Sequence, residues 1–137
     1  MEDKTWNNER PVKDGVVPYL MLEDSAGASD FYQKAFGGEE LLRMPAQDGK
    51  RVMHITMRIN NGFLMFNDPF PEHGYPGEKP QGYTLHLQVD DIDAWWKRAI
   101  DAGCTETMPV QDMFWGDRYG QLKDPWGVLW SMGQPIG

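Results

Sequence analysis

Three histidines, His54, His73 and His86, are the side chains with the clearest capacity for acid–base or metal chemistry. Imidazole titrates near neutrality and is a common metal ligand. Strand alternation places His86 on the same face as Thr84 and Gln88. His54 and His86 could each act as a general base. The alternative for each is a hydrogen-bonded, partly buried side chain on a sheet, and His73 is expected to be solvated in a loop.

The stretch 115–130 is a second candidate region, because its aromatic rings could stack on a flat or cationic ligand. The segment 124–127 (Asp-Pro-Trp-Gly) is typical of a turn: proline presets φ, aspartate can accept from the next backbone amides and glycine tolerates positive φ. The runs on each side, 119–122 and 128–132, are predicted to pair as strands. We expect this hairpin to form one wall of a binding site.

We expect different roles for the individual side chains of this stretch. Trp115, at the hairpin entrance, is the predicted ligand contact. Trp130 is expected to pack between sheet and helix, because it alternates with Ser131, which should face the pocket. Arg118 could hold an anionic group at the mouth of the site or pair with Asp117.

Composition restricts the class of protein. The chain of 137 residues has 40% hydrophobic residues and a formal net charge of −8, which predicts one globular domain and argues against a nucleic acid or an anionic membrane as partner. A single cysteine, Cys104, cannot form an internal disulfide and fits a reducing compartment. No apolar run is long enough to span a membrane, and residues 1–10 lack the apolar core of a signal peptide. The protein is therefore predicted to be cytoplasmic.

Hydrophobic periodicity and turn signals predict the order strand, helix and three strands, twice. Asp24 or Ser25 is expected to cap the first helix, and Asp90-Asp91 the second. Asn60-Asn61-Gly62 is typical of a tight hairpin turn. The predicted strands are 16–22, 40–44, 52–59, 63–66, 83–89, 105–110, 114–122 and 128–132, and the predicted helices are 26–36 and 92–102.

The two halves also resemble each other. Phe31–Phe36 matches Trp95–Ile100, and Met44-Pro45 recurs as Met108-Pro109 at the same offset. Two units that each expose an apolar sheet face would pair those faces, giving an α+β fold with helices outside and a concave interior suited to a small molecule. We assign 1–14 to an N-terminal arm and 15–137 to a single domain, with module one at about 16–68, a Pro/Gly-rich linker loop at 69–82 and module two at about 83–133.

Four segments carry a family resemblance: Pro18–Leu20, Phe31–Gly38, Val89–Asp93 and Phe114–Trp130. Together they resemble the vicinal oxygen chelate superfamily (the glyoxalase/bleomycin resistance protein/dioxygenase group), and within it the PhnB-like branch. The resemblance implies paired βαβββ modules forming a U-shaped mixed sheet with helices outside. It also implies a homodimer that holds a small-molecule ligand in the sheet.

Metal-dependent members of that superfamily use His, Gln or Glu at four inward strand positions. By motif, these positions fall at Val17, Met65, Thr84 and Ser131. None is a usual ligand for a catalytic divalent ion. We therefore expect no cofactor and a small-molecule-binding protein without the usual metal centre.

The resemblance further implies which side chains line the site, with Tyr19 as the pseudo-twofold mate of His86 and His54 where PhnB-like relatives often carry a histidine. One alternative is a divalent-metal-dependent lyase, isomerase or dioxygenase in which His54 and His86 converge as non-standard ligands. Another is a structural or regulatory dimer with a vestigial pocket. Catalytic residues are not assigned; the predicted ligand-binding residues are Tyr19, His54, Thr84, His86, Gln88, Trp115, Arg118 and Ser131.

Overall fold

The computed structural model describes residues 10–137, so residues 1–9 of the predicted N-terminal arm lie outside the described residues. Two helices and eight strands follow one another as two βαβββ modules, which confirms the predicted α+β class. The first module comprises β1 (Tyr19–Met21), α1 (Ser25–Phe36), β2 (Glu39–Pro45), β3 (Val52–Ile59) and β4 (Gly62–Asn67). The second comprises β5 (Leu85–Gln88), α2 (Ile92–Ala102), β6 (Thr105–Asp112), β7 (Asp117–Lys123) and β8 (Leu129–Pro135).

Each module forms its own mixed sheet of four strands. The strand orders are β1-β4-β3-β2 and β5-β8-β7-β6, with β1 and β5 as parallel edge strands and the other pairs antiparallel. Chain contacts divide the described residues into two compact units, one holding the first sheet and the other holding the second sheet together with residues 34–36. Neither helix among residues 10–137 has the length and apolar content needed to cross a bilayer.

Local sequence signals set the ends of the elements as predicted. Asp24 accepts a hydrogen bond from the Gly27 amide (3.1 Å) at the start of α1, and Gly37 ends this helix at φ 66°. The hairpin between β3 and β4 turns at Asn60 and Asn61, whose φ angles of 49° and 66° require the left-handed region that asparagine tolerates.

In the first unit, α1 covers one face of its sheet. Tyr32 is fully buried and meets Phe66 edge to face, with 5.8 Å between ring centroids. Ile55 and Met57 are also fully buried. Because strand residues alternate, His54 points to the opposite face. We call the sheet face opposite a unit's own helix its distal face.

In the second unit, α2 lies against its sheet through Trp96. A Cβ at Gly120 would lie 2.8 Å from Cζ3 of Trp96, so glycine is required for this close approach. Trp130 is 3% exposed and packs against Phe36, with 4.4 Å between ring centroids. The prediction that Trp130 packs in the interior is confirmed.

Several predicted strands begin later than expected. The strand predicted from residue 114 begins at Asp117, because Met113 and Gly116 form the turn between β6 and β7, with Gly116 at φ 97°. This turn overrides the strand preference of the aromatic residues before it. Val17 and Thr84 likewise precede β1 and β5, so they are not strand residues.

The turn between β7 and β8 depends on a buried carboxylate. Asp124 is 3% exposed and accepts from the Trp126 amide (2.9 Å), the Val128 amide (3.0 Å) and Nε1 of Trp130 (2.9 Å). Gly127 adopts φ 88° within this turn. The predicted paired strands and the predicted role of the aspartate are confirmed.

We expect Asp124→Ala to lower the free energy of unfolding by roughly 2–4 kcal/mol, because three N–H donors lose a charged acceptor. Urea denaturation followed by tryptophan fluorescence measures this loss. The matched control is Asp112→Ala, since the Asp112 carboxylate forms a surface ion pair with Arg118 that should contribute less than about 1 kcal/mol. Equal losses in the two variants would contradict the structural role of Asp124.

Candidate functional site

A tyrosine–histidine pair lies on the distal face of the first unit. Tyr19 Oη is 2.8 Å from Nδ1 of His54, and the ring centroids are 5.5 Å apart. Nε2 of His54 is 2.6 Å from Oγ1 of Thr56, and the Asn67 amide donates to Tyr19 Oη at 3.4 Å. The hydrogen bonds therefore form a chain from Asn67 through Tyr19 and His54 to Thr56.

Burial determines the charge state of this pair. It lowers the pKa of His54, and the positive charge of Arg10 lowers this pKa further. Burial also raises the pKa of Tyr19, partly opposed by the hydrogen bond from Asn67. Both side chains are therefore neutral at neutral pH, and the imidazole keeps one donor and one acceptor nitrogen.

A second tyrosine–histidine pair lies on the distal face of the second unit. Nδ1 of His86 is 2.7 Å from Oγ of Ser131, and Nε2 is 2.8 Å from Oε1 of Gln88. The His86 ring stacks on Tyr119 with 6.0 Å between centroids and 20° between planes. A Cβ at Gly133 would lie 3.0 Å from Cε1 of His86, so glycine lets the imidazole lie close to β8.

The partners of His86 orient its protons. The side-chain carbonyl oxygen of Gln88 only accepts, so Nε2 of His86 carries the hydrogen of that bond. In this tautomer, Nδ1 accepts from the Ser131 hydroxyl. Hydrogen bonds therefore fix both nitrogens of the imidazole, although His86 is an exposed residue.

The ring contacts continue beyond this pair. Trp115 meets Tyr119 edge to face at 5.6 Å, and Phe114 meets Trp115 in the same way at 5.1 Å. Trp115 is 50% exposed, and its Nε1 donates to Asp117 at 3.1 Å. We call the four rings of Phe114, Trp115, Tyr119 and His86 the aromatic ledge.

The other side chains considered in the sequence analysis differ in their exposure and in their partners. Arg118 does not pair with Asp117 but with Asp93 (3.1 Å) and Asp112 (3.3 Å), which raise the pKa of the guanidinium. Thr84 is an exposed residue just before β5. Burial, reinforced by the charge of Asp124, raises the pKa of the Cys104 thiol to about 12, which makes it a poor nucleophile.

The structure thus brings the predicted residues together in two groups, Tyr19 with His54 in one unit, and His86, Gln88 and Ser131 in the other. Trp115 joins the second group through Tyr119. Sequence reasoning missed Asn67 and Gly133. Neither residue has a periodic signal that marks it as functional, because the role of each depends on a side chain from another strand.

The fold and these two groups define a class of protein: an α+β chain of two βαβββ modules whose distal sheet faces carry polar and aromatic side chains. The family described as the Glyoxalase/Bleomycin resistance protein/Dioxygenase superfamily matches residues 17–132, and the chain belongs to this family. The predicted resemblance to the vicinal oxygen chelate superfamily is therefore confirmed.

Individual relatives are similar along most of their length. An uncharacterized protein of Mycobacterium bovis is 43% identical over 131 residues, covering 91% of this chain and 86% of its own. The crystal structure of TioX from Micromonospora sp. ML1 is 27% identical with a TM-score of 0.70, covering 90% of this chain and 98% of its own. A PhnB protein from Bacillus cereus, 19% identical with a TM-score of 0.70, covers 88% of this chain and 99% of its own and shares the fold.

Members of this family often use divalent metals. The residues paired across the parallel strands show whether this chain could hold such an ion. Tyr19 lies beside Met65, and His86 lies beside Ser131. Phenol, thioether and hydroxyl groups are poor ligands for such ions, and both nitrogens of His86 are hydrogen-bonded. Within residues 10–137, no three His, Cys, Asp or Glu side chains are grouped to hold an ion. These residues do not fit the usual metal centre.

We expect the free energy of unfolding to fall as the pH drops from 6.5 toward the lowered pKa of His54. Burial holds this pKa below the unfolded value of 6.5, so over that range the unfolded chain binds more protons than the folded chain. Urea denaturation at about pH 7.5 and about pH 5.5 should show a larger loss in the parent than in His54→Gln, which cannot titrate. The same pH dependence in both proteins would show that His54 is not held neutral by the fold.

Proposed function

We propose that this protein binds a small organic molecule with a flat aromatic or heteroaromatic group, and that the aromatic ledge is the contact surface. The observation that carries the proposal is the His86 ring, which is exposed, stacked on Tyr119 and hydrogen-bonded at both nitrogens. Its orientation is set before a ligand arrives, which reduces the entropy lost on binding.

The exposure of the ledge supports this proposal. Phe114 is 96% exposed and Trp115 is 50% exposed, although both are large apolar residues that more often lie in a core. Aromatic side chains offer a large contact area with few rotatable bonds. The amide of Gln121 donates to Tyr119 Oη at 3.1 Å and adds a second polar group beside the rings.

Charge around the ledge favours a neutral or cationic guest. Arg118 is already paired with Asp93 and Asp112, and Asp117 accepts from Trp115. An anion would have to compete with these carboxylates for the guanidinium. Binding without the usual metal centre is part of the proposal, since the residues of each module do not form its donor set.

The proposal extends to the other predicted properties. Thr84, Gln88, Arg118 and Ser131 are proposed to line or support the ligand site of the second unit together with His86 and Trp115. Tyr19 and His54 are proposed as ligand-binding residues on the distal face of the first unit. A homodimer and a cytoplasmic location, both expected from the sequence, belong to the same proposal.

Metal content is the first test. We expect elemental analysis of tag-free protein, purified without chelators, to show well below one Zn, Ni, Mn or Fe per chain, because the donor set does not suit these ions. Incubation with each metal followed by desalting should not change this result. A near-stoichiometric metal that is lost in His54→Ala or His86→Ala would overturn the proposal in favour of a metal-dependent enzyme.

A ligand screen is the second test. We expect some flat aromatic compounds to raise the melting temperature of the parent protein by mass action, and His86→Ala and Trp115→Ala to weaken this effect. The matched control is Tyr83→Ala, which removes a partly exposed ring outside the ledge and should leave the shift intact. If no compound stabilises the parent, or if His86→Ala keeps every shift, the ledge is not the binding surface.

A further inference from the structure

We propose that a cavity in the first unit is a second small-molecule site, and that it takes an uncharged aromatic ring bearing an N–H or O–H donor. The cavity has a volume of about 580 Å³ and lies between the β2–β3 turn and the loop after β4. This volume is typical of small-molecule sites. The cavity consists of first-unit residues only, whereas the aromatic ledge belongs to the second unit.

A backbone bridge joins the two ends of the loop segment that forms one wall of the cavity. Phe70 and Tyr75 form an antiparallel bridge, in which the Phe70 amide donates to the Tyr75 carbonyl and the Tyr75 amide to the Phe70 carbonyl, with N···O distances of 2.6 and 3.0 Å. Between them, Pro71–His73 form one 3-10 turn that ends at Gly74, with φ 87°. The Phe70, His73 and Tyr75 rings that line the cavity are therefore carried by a short, hydrogen-bonded loop.

Arg51 ties this loop to the opposite wall. Its two terminal nitrogens contact the Glu72 carboxylate at 3.0 and 2.5 Å, and its Nε donates to Asp48 at 2.7 Å. The guanidinium carbon lies 4.4 Å from the centroid of the Phe70 ring. One arginine thus joins the β2–β3 turn to the loop and holds an aromatic wall of the cavity in place.

The same contacts determine which ligands the cavity favours. Hydrogen bonds from Arg51 lower the pKa of Glu72 to about 2, and backbone and side-chain hydrogen bonds lower that of Asp48 to about 2. Both carboxylates are ionised and engaged with Arg51, so the guanidinium is not available to bind an anion. Phe70, Tyr75 and Met53 leave an aromatic and apolar lining that suits an uncharged ring.

Asn67 supplies the polar recognition group. It lines the cavity, and its Oδ1 is buried without a hydrogen-bond partner among the described residues. Its Nδ2 donates to Tyr19 Oη, which fixes the orientation of the amide. A buried acceptor without a partner is uncommon and unfavourable, so a ligand whose N–H or O–H displaces the atoms covering Oδ1 and bonds to it would be favoured over a ring without a donor.

The test uses indole and 1-methylindole, which share a bicyclic ring but differ in the N–H donor. Affinities are measured by protein NMR titration on the His86→Ala variant, in which the aromatic ledge is disrupted. We expect indole to bind about fivefold or more tightly than 1-methylindole, as one hydrogen bond implies. We also expect the signals of Tyr19 and His54 to shift, because Asn67 is hydrogen-bonded to Tyr19.

Variants of the cavity complete the test. Tyr75→Ala should weaken indole binding about fivefold or more, since it removes a ring of the wall, and Asn67→Leu should abolish the preference for indole. Because Tyr75 is 60% exposed, its truncation leaves the core intact even if Asn67→Leu fails to fold. Tyr83→Ala, which removes another partly exposed tyrosine outside the cavity, should bind indole like the parent.

The outcomes separate this inference from the proposed function. Indole binding that survives His86→Ala and is lost in Tyr75→Ala supports the cavity, whatever the ledge binds. Binding that is lost in His86→Ala but kept in Tyr75→Ala overturns the cavity and leaves the ledge in place. Equal affinity for the two probes, or no binding of indole at millimolar concentration, also overturns it.

Discussion

A buried carboxylate directly after a strand organises each unit. Asp124, after β7, gathers two backbone amides and the Trp130 indole, and so sets both the turn and the position of β8. Asp68, after β4, accepts from the amides of Ser25 (3.1 Å) and Val52 (2.7 Å), and so joins the start of α1 to the start of β3. A buried carboxylate is stable only when it is well hydrogen-bonded, which couples these segments to one another.

The candidate sites follow from the register that these contacts maintain. Two residue pairs occupy equivalent places in the two modules: Tyr19 lies beside Met65 in the first, and His86 lies beside Ser131 in the second. The partner ring comes from the third strand in both cases, as His54 in the first unit and Tyr119 in the second. The repeat has therefore kept a phenol–imidazole pair while exchanging the strands that supply the two rings. In the first unit the imidazole is buried and its phenol partner Tyr19 is 51% exposed, whereas in the second unit the imidazole itself is exposed.

Family membership leaves the chemistry open, since related chains on one fold carry different sites. In this chain the residues paired across the parallel strands supply a phenol and a thioether in the first unit and an imidazole and a hydroxyl in the second. These groups favour recognition of an organic ligand over ligation of a metal. The first unit adds an aromatic cavity braced by Arg51, and the second adds an aromatic ledge braced by Ser131 and Gln88. Each site gains rigidity from hydrogen bonds that do not involve a ligand.

The sequence by itself determined the elements and their repeat. Asp24 and Asp91 cap the helices, Asn60-Asn61 turns a hairpin, and Asp124 orders the last turn, because each acts through its immediate chain neighbours. The sequence did not predict the late start of β7, because the hydrogen bonds of the turn before β7 compete with the strand preference of the aromatic residues.

Only the tertiary structure decided which side chains meet. Tyr119 stacks on His86, Gly133 clears space for that ring, and Arg51 reaches Glu72, each across more than ten residues of chain. These contacts depend on strand register, which the irregular pairing in β2 and β6 alters locally. Hydrophobic alternation specifies the face of a strand but not the partner beside it, so the binding surfaces could not be deduced from periodicity.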